Sequence, residues 1–256
     1  MSATRSMPDG LGDKVAIVSG ATSGIGTTIA RRLIADGAQV LLTGRSAAAG
    51  KLLRAELGDR SAFIAADLAT PTAAERIVGD CVRQFGRVDV LVNNAALDHT
   101  GDLLSAPIEE VRRTFEINTF AALRLLQAAA TAMTGGGAII NITSRLASIG
   151  VPTMSIYSAS KGALLALTRA AAVELAPRNI RVNAVAPGMT RTPLFQSWLA
   201  AQQDPAAIER ATTSAIPLGR LGCPEDVANV VAFLASERAS YLTGISIAVD
   251  GGYTAQ

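Results

Sequence analysis

The sequence predicts an α/β fold, a doubly wound parallel sheet, and three observations carry that reading. Short apolar runs alternate with segments of helical period along most of the 256 residues, the order that lays helices over both faces of a parallel sheet. Those runs are continuously apolar rather than alternating, as strands covered on both sides are. With 49% hydrophobic, 17% charged and only 4% aromatic residues, the chain has an aliphatic core of Ala, Val, Ile and Leu, and one domain of this length buries it well.

Seven strands are expected in order: KVAIVS (14–19), QVLLT (39–43), SAFIA (61–65), VDVLV (88–92), AIINIT (138–143), IRVNAVA (180–186) and SIAV (246–249). Ahead of them, residues 1–12 read as a flexible polar tail without the apolar stretch of a signal peptide. Residues 13–256 read as a single domain, since no repeat or Pro/Gly linker divides them. Between the first two strands Ile25, Ile29 and Leu33 recur every four residues and Gly37 supplies a stop, which predicts a helix over 24–36 and completes a βαβ unit. Segments 119–133 and 161–176 are apolar almost all round. Such helices need more cover than one sheet gives, which points to a homo-oligomer, a tetramer or a dimer. Residues 194–216 break the α/β rhythm and predict helices over a site.

Several function classes are excluded. The net charge is +2 with no block of like charges, so neither nucleic acid nor an anionic membrane has an electrostatic footprint to meet. Cys81 and Cys223 stand far apart and His99 is the only histidine, which predicts no metal site and no disulfide. No apolar run reaches the roughly 18 residues that span a bilayer, so a soluble cytoplasmic protein is expected.

Between the first strand and its helix lies SGATSGIG, with glycines at 20, 24 and 26. Glycines here let the backbone turn tightly and approach a pyrophosphate, while the helix N-terminus offers free N–H groups and partial positive charge. The spacing is G-x-x-x-G-x-G rather than the G-x-G-x-x-G of the standard dinucleotide fingerprint.

From this motif onward the chain resembles the short-chain dehydrogenase/reductase family, in its form of about 250 residues. SGATSGIG is similar to the family's TGxxxGxG, with Ser19 in place of Thr, and NNAA (93–96) is similar to its NNAG, with Ala96 in place of Gly. Asn118, Ser144, Tyr157 and Lys161 match its catalytic tetrad, PGMTRT (187–192) resembles the loop after its sixth strand, and GISIAVDGG resembles its closing strand. The resemblance covers about residues 13–253 and implies a Rossmann-like, doubly wound, seven-stranded parallel sheet. It further implies cofactor contacts from Gly20, Thr22, Ser23, Gly24, Ile25, Gly26, Arg45, Asp67, Leu68, Asn94, Tyr157, Lys161, Gly188, Thr190 and Thr192. A substrate lid is expected around 190–216.

YSASK sets Tyr157 and Lys161 four apart, on one face of a helix. A free phenol has a pKa of about 10; a neighbouring ammonium and an oxidised nicotinamide would lower it and make Tyr157 a usable general acid/base. The resemblance implies that Ser144 orients the reacting oxygen, that Lys161 also holds the nicotinamide ribose, and that Asn118 helps position a water beside Lys161. Arg145 is a candidate for a substrate carboxylate or phosphate, with a surface or interface ion pair as the simpler expectation. Met189, Leu194, Phe195 and Trp198 are expected to wall an apolar pocket that suits an aliphatic, cyclic or aryl ketone. His99, in the loop after NNAA, is expected as a solvated loop residue, with contact to the substrate as its alternative.

At the end of the second strand, VLLTGRS puts Gly44 where an Asp or Glu would bond the ribose hydroxyls of NAD, and Arg45 just beyond it. Removing the carboxylate and adding a guanidinium favours the 2′-phosphate of NADP, with NAD also possible. Ser23 stands where many NADP users of the family carry a second basic residue. The resulting expectation is an NADP-preferring oxidoreductase that interconverts a ketone and a secondary alcohol. Its alternatives are a 3-oxoacyl-(acyl-carrier-protein) reductase and a non-catalytic dinucleotide-binding regulatory protein. A serine hydrolase is excluded, because Ser144 lies in ITSRL rather than G-x-S-x-G and the sole histidine precedes it.

Overall fold

The structure, a computed structural model, describes residues 10–256. In chain order it contains β1 (Val15–Ser19), α1 (Gly24–Ala35), β2 (Gln39–Gly44), α2 (Ala47–Leu57), β3 (Ser61–Ala65), α3 (Ala73–Phe85), β4 (Val90–Asn93) and α4 (Ile108–Phe115). A π-helical turn (Glu116–Phe120) then leads into α5 (Ala121–Ala132), followed by β5 (Gly137–Ile142), α6 (Ser155–Leu175) and β6 (Ile180–Pro187). The chain ends through α7 (Pro193–Ala200), α8 (Pro205–Ser214), α9 (Pro224–Ala235) and β7 (Ser246–Val249).

The seven strands form one sheet in the order β3-β2-β1-β4-β5-β6-β7, every pair parallel. The predicted doubly wound sheet is therefore what the chain builds. Strand order reverses between β1 and β4, which opens a crevice at the carboxyl ends of the strands. On one face Ile29 and Leu33 of α1 pack with Val227, Val231 and Leu234 of α9. On the other, Ile77 of α3, Leu125 and Ala129 of α5 and Ala171 of α6 cover Ile17, Leu91 and Ile139. The central strands are buried on both faces, whereas the edge strand β7 leaves Ser246 and Ala248 exposed because it has one neighbour and less cover.

Strand boundaries differ from the predicted ones by one or two residues. The larger difference is at the start. Of the expected tail, residues 1–9 lie outside the described residues, but Leu11 is only 1% exposed in the α1/α9 core, and its N–H donates to the Asp36 carbonyl at 2.7 Å. Residues 10–12 thus belong to the packed domain. The segment 161–176 is part of a longer helix that begins at Ser155, so Tyr157 and Lys161 share α6. Segment 119–133 enters through the π turn, which widens the helix where Asn118 sits.

Candidate active site

The glycine turn shows why small residues are needed. Gly20 (φ +64°) and Gly24 (φ +54°) occupy the left-handed region, and a Cβ on Gly26 would lie 2.2 Å from the Gly20 carbonyl oxygen. β1 is sutured to β4 beside it: the Ser19 hydroxyl donates to Val92 O and accepts from the Asn94 and Ala95 N–H groups. The Asn94 amide clamps the turn from the far side, donating to the Ser19 and Gly20 carbonyls at 2.9 and 3.1 Å. Ser23 makes no side-chain cap bond and the first turn of α1 holds no acidic residue. Its N–H groups and partial positive charge therefore remain for an external anion.

Along the carboxyl ends of β1, β2 and β4 runs a cleft of about 370 Å³. Of the expected cofactor residues, Gly20, Thr22, Ser23, Gly24, Ile25, Arg45, Asp67, Leu68, Asn94 and Thr192 line it, with Gly44 and, from α7, Leu194. Gly26, Gly188 and Thr190 do not line it. A Cβ on Gly188 would meet the Asp250 backbone at 2.7 Å, and Thr190 is buried with its hydroxyl on Gly188 O. Gly44 is needed for a second reason besides charge: a Cβ there would stand 2.7 Å from Thr22 Oγ1. Arg45 is exposed on the cleft and makes no ion pair or hydrogen bond among the described residues. Sequence reasoning missed Arg113 and Ile117, which reach the cleft from α4 and the π turn that follows it and carry no motif that would have marked them.

Asn118, Ser144, Tyr157 and Lys161 stand beyond the β4 end of this cleft. Asn118 is buried on the π turn with its amide fully engaged. Oδ1 accepts from Leu97 N at 2.7 Å, and Nδ2 donates to Leu97 O and to Ser160 Oγ at 2.9 and 3.0 Å. The side chain thus braces the loop after β4 against α6. Lys161 is 2% exposed, its Nζ donating to Ile142 O at 2.8 Å. An ammonium has three donors, so this bond leaves N–H groups for acceptor oxygens such as ribose hydroxyls. Burial brings the Lys161 pKa down to about 8.

For Tyr157 the expected direction is reversed in the protein alone. Burial pushes its phenol well above the ordinary value, Asp98 adds to the rise, and the neighbouring Ser144 hydroxyl opposes it. Lys161 does not offset this: its Nζ is drawn to the end of β5 and lies 5.8 Å from the Tyr157 ring centroid. Ser144 itself is buried after β5, its oxygen accepting from Leu146 N and its hydroxyl adjoining the Tyr157 phenol.

The expected pocket wall divides. Phe195 is buried with Leu199, Ile216 and Leu221 in a small apolar cluster against which Met189 packs, so these two side chains hold the segment around α7 and α8 together. Leu194 and Trp198 are exposed. His99 is not solvated: it is 8% exposed, with Nε2 3.3 Å from Glu110 Oε2 and Nδ1 buried without a partner among the described residues. Arg145 makes no ion pair among the described residues; its guanidinium stacks on Tyr253.

A family model described as enoyl-(acyl carrier protein) reductase matches residues 20–254. The chain is 38% identical over 263 residues to cis-4-hydroxycyclohexanecarboxylate dehydrogenase of Sinomonas cyclohexanicum, covering 97% of this chain and all of that one. It is 39% identical over 252 residues to 3α-hydroxysteroid dehydrogenase of Mediterraneibacter gnavus, covering 94% of this chain and 97% of that one. A solved short-chain type dehydrogenase/reductase from Mycobacterium marinum superposes with a TM-score of 0.88 at 36% identity, over 96% of this chain and 98% of that one.

Proposed function

This chain belongs to the short-chain dehydrogenase/reductase family and is an oxidoreductase; from that premise we propose that it interconverts a ketone and a secondary alcohol, with NADP(H) preferred over NAD(H). The single observation that carries the reading is the convergence of a phenol, a hydroxyl and a buried ammonium at the strand ends beside a glycine-built anion cleft. A bound nicotinamide dinucleotide supplies or takes up the hydride.

The remaining chemistry falls to the chain. The Ser144 hydroxyl donates to the carbonyl oxygen and holds it toward Tyr157. Tyr157 gives that oxygen its proton in reduction and takes it back in oxidation. Lys161, as the ammonium, bonds ribose hydroxyls with the donors that Ile142 leaves over and stabilises the phenolate that forms. Asn118 keeps the loop after β4 in register with α6, so that Leu97 and the cleft wall hold their positions. Burial raises the phenol of the free protein and makes it a weaker acid, so the positive charges of Lys161 and of the oxidised nicotinamide would have to lower it again for proton transfer.

Arg45, unpaired and on the cleft, with Gly44 in place of a carboxylate, supports the NADP preference. The relatives named above, which by their names act on ring alcohols, together with the apolar Leu194 on the cleft, support a cyclic ketone as substrate. A homo-oligomer, tetramer or dimer, would cover Phe120, Ile108 and the 77% exposed Val173 around α4, α5 and α6. The test is loss of reduced-nicotinamide absorbance with substituted cyclohexanones, supplied with NADPH and, separately, NADH. Turnover is expected with at least one ketone; binding of the dinucleotide without any turnover would favour the regulatory alternative.

A further inference from the structure

We propose that Arg145 forms an anion subsite beside the reacting oxygen, which takes the carboxylate of a keto or hydroxy acid; the proposal rests on the ketone–alcohol reading above. Arg145 follows Ser144 directly, so its guanidinium is anchored on the same turn as the hydroxyl that holds the substrate oxygen. Its Cζ lies 3.9 Å from the Tyr253 ring centroid, a stacking distance that fixes the plane of the group.

Among the described residues no acid forms a salt bridge with it. Asp250 feels its charge, but makes no salt bridge with it, and both Asp250 oxygens accept hydrogen bonds from the chain's end. Oδ1 accepts from Gly252 N at 3.0 Å, and Oδ2 accepts from Thr254 N at 3.0 Å and Thr254 Oγ1 at 2.6 Å. Arg145 has no salt bridge among the described residues, and its Nη1 is buried without a hydrogen-bond partner.

A buried donor left without an acceptor is costly and rare in folded proteins, so its presence asks for an external group. Stacking occupies the face of the guanidinium and leaves the in-plane N–H fork, whose geometry matches a planar carboxylate. Tyr253 also packs on the apolar cluster of Phe195, Leu199, Ile216 and Leu221. The guanidinium therefore sits between the Ser144 turn and this cluster, where a substrate could lay its apolar body on the cluster and its anionic end on Arg145. The opposing charge near Tyr157, Asp98, is exposed and screened by water, so it weighs less than the half-buried guanidinium.

The test uses the protein saturated with reduced dinucleotide and titrates two non-reacting probes by calorimetry, cyclohexanecarboxylate and its neutral amide. A charge-assisted bond predicts that the wild type binds the acid about tenfold or more tightly than the amide. Arg145→Met should abolish that preference and Arg145→Lys retain part of it. In turnover, the ratio of kcat/KM for 4-oxocyclohexanecarboxylate over its methyl ester should fall about tenfold in Arg145→Met. Equal binding of acid and amide by the wild type, which needs no variant to fold, overturns the subsite, as does an equal loss for both probes in Arg145→Met. Acid preference without any turnover would leave the subsite and remove the ketone–alcohol reading; turnover of neutral ketones without acid preference would do the reverse.

Discussion

Replacing Arg45 with alanine should separate the two dinucleotides. The side chain is exposed and makes no hydrogen bond or ion pair among the described residues, so its loss costs the fold little and isolates an interaction with ligand. A hydrogen bond to a charged group contributes about 1.5–3 kcal/mol, and an exposed arginine belongs near the lower end. About 1.5 kcal/mol corresponds to roughly a tenfold rise in KM for NADPH, while NADH, which lacks the 2′-phosphate, should change by less than about twofold. Gly44→Asp is a less clean perturbation, because its new Cβ would stand 2.7 Å from Thr22 Oγ1 and add strain to any charge effect. The assay is steady-state kinetics with both cofactors against one ketone at low salt, repeated at high salt, where the difference should shrink. Equal changes in KM for NADPH and NADH would refute the assignment of Arg45 to the phosphate.

Three further outcomes are expected. Gly26→Ala puts a methyl 2.2 Å from Gly20 O and 2.5 Å from Asn94 Nδ2; dinucleotide binding by fluorescence should be lost and stability should fall by about 1–3 kcal/mol, as overpacking costs. Lys161 titrates near 8 in the folded protein against an ordinary 10.5. Between those values the unfolded chain holds a proton that the folded one has released, so Lys161 makes stability rise with pH across that window. Lys161→Met should flatten the slope in denaturant melts taken from below pH 8 to above pH 10. Leu11→Ala should cost about 2–4 kcal/mol in the same melts if residues 10–12 are part of the core, and near zero if they are a tail.

Legibility in the sequence followed how local each feature's cause is. The seven strands were readable because burial on both faces leaves a continuous apolar run, and the glycine turn because left-handed φ and close approach admit only Gly. Leu11 was not, since one apolar residue in a polar stretch has no periodicity to mark its burial in the α1/α9 core. His99 was misjudged because a loop carries no pattern from which contact with Glu110 could be read. Phe195 and Leu194 are neighbours on one short helix, yet only three-dimensional packing turns one into the apolar cluster and the other toward the cleft. In the protein without cofactor the Tyr157 shift runs opposite to the expected one for a related reason. Spacing places an ammonium on the same helix face, but it does not say that Lys161 Nζ is pulled to Ile142 O while the phenol is buried.

Proton transfer by Tyr157 in a ketone–alcohol oxidoreductase is tested by the Tyr157→Phe variant, which removes one oxygen and keeps the ring. Reduced-nicotinamide absorbance is followed with the best ketone of the panel, and dinucleotide affinity is measured alongside by fluorescence. The prediction is a fall in kcat of about 100-fold or more, the scale of general acid catalysis, with dinucleotide affinity changed by less than about threefold. A Tyr157→Phe enzyme that turns over at the wild-type rate would contradict it.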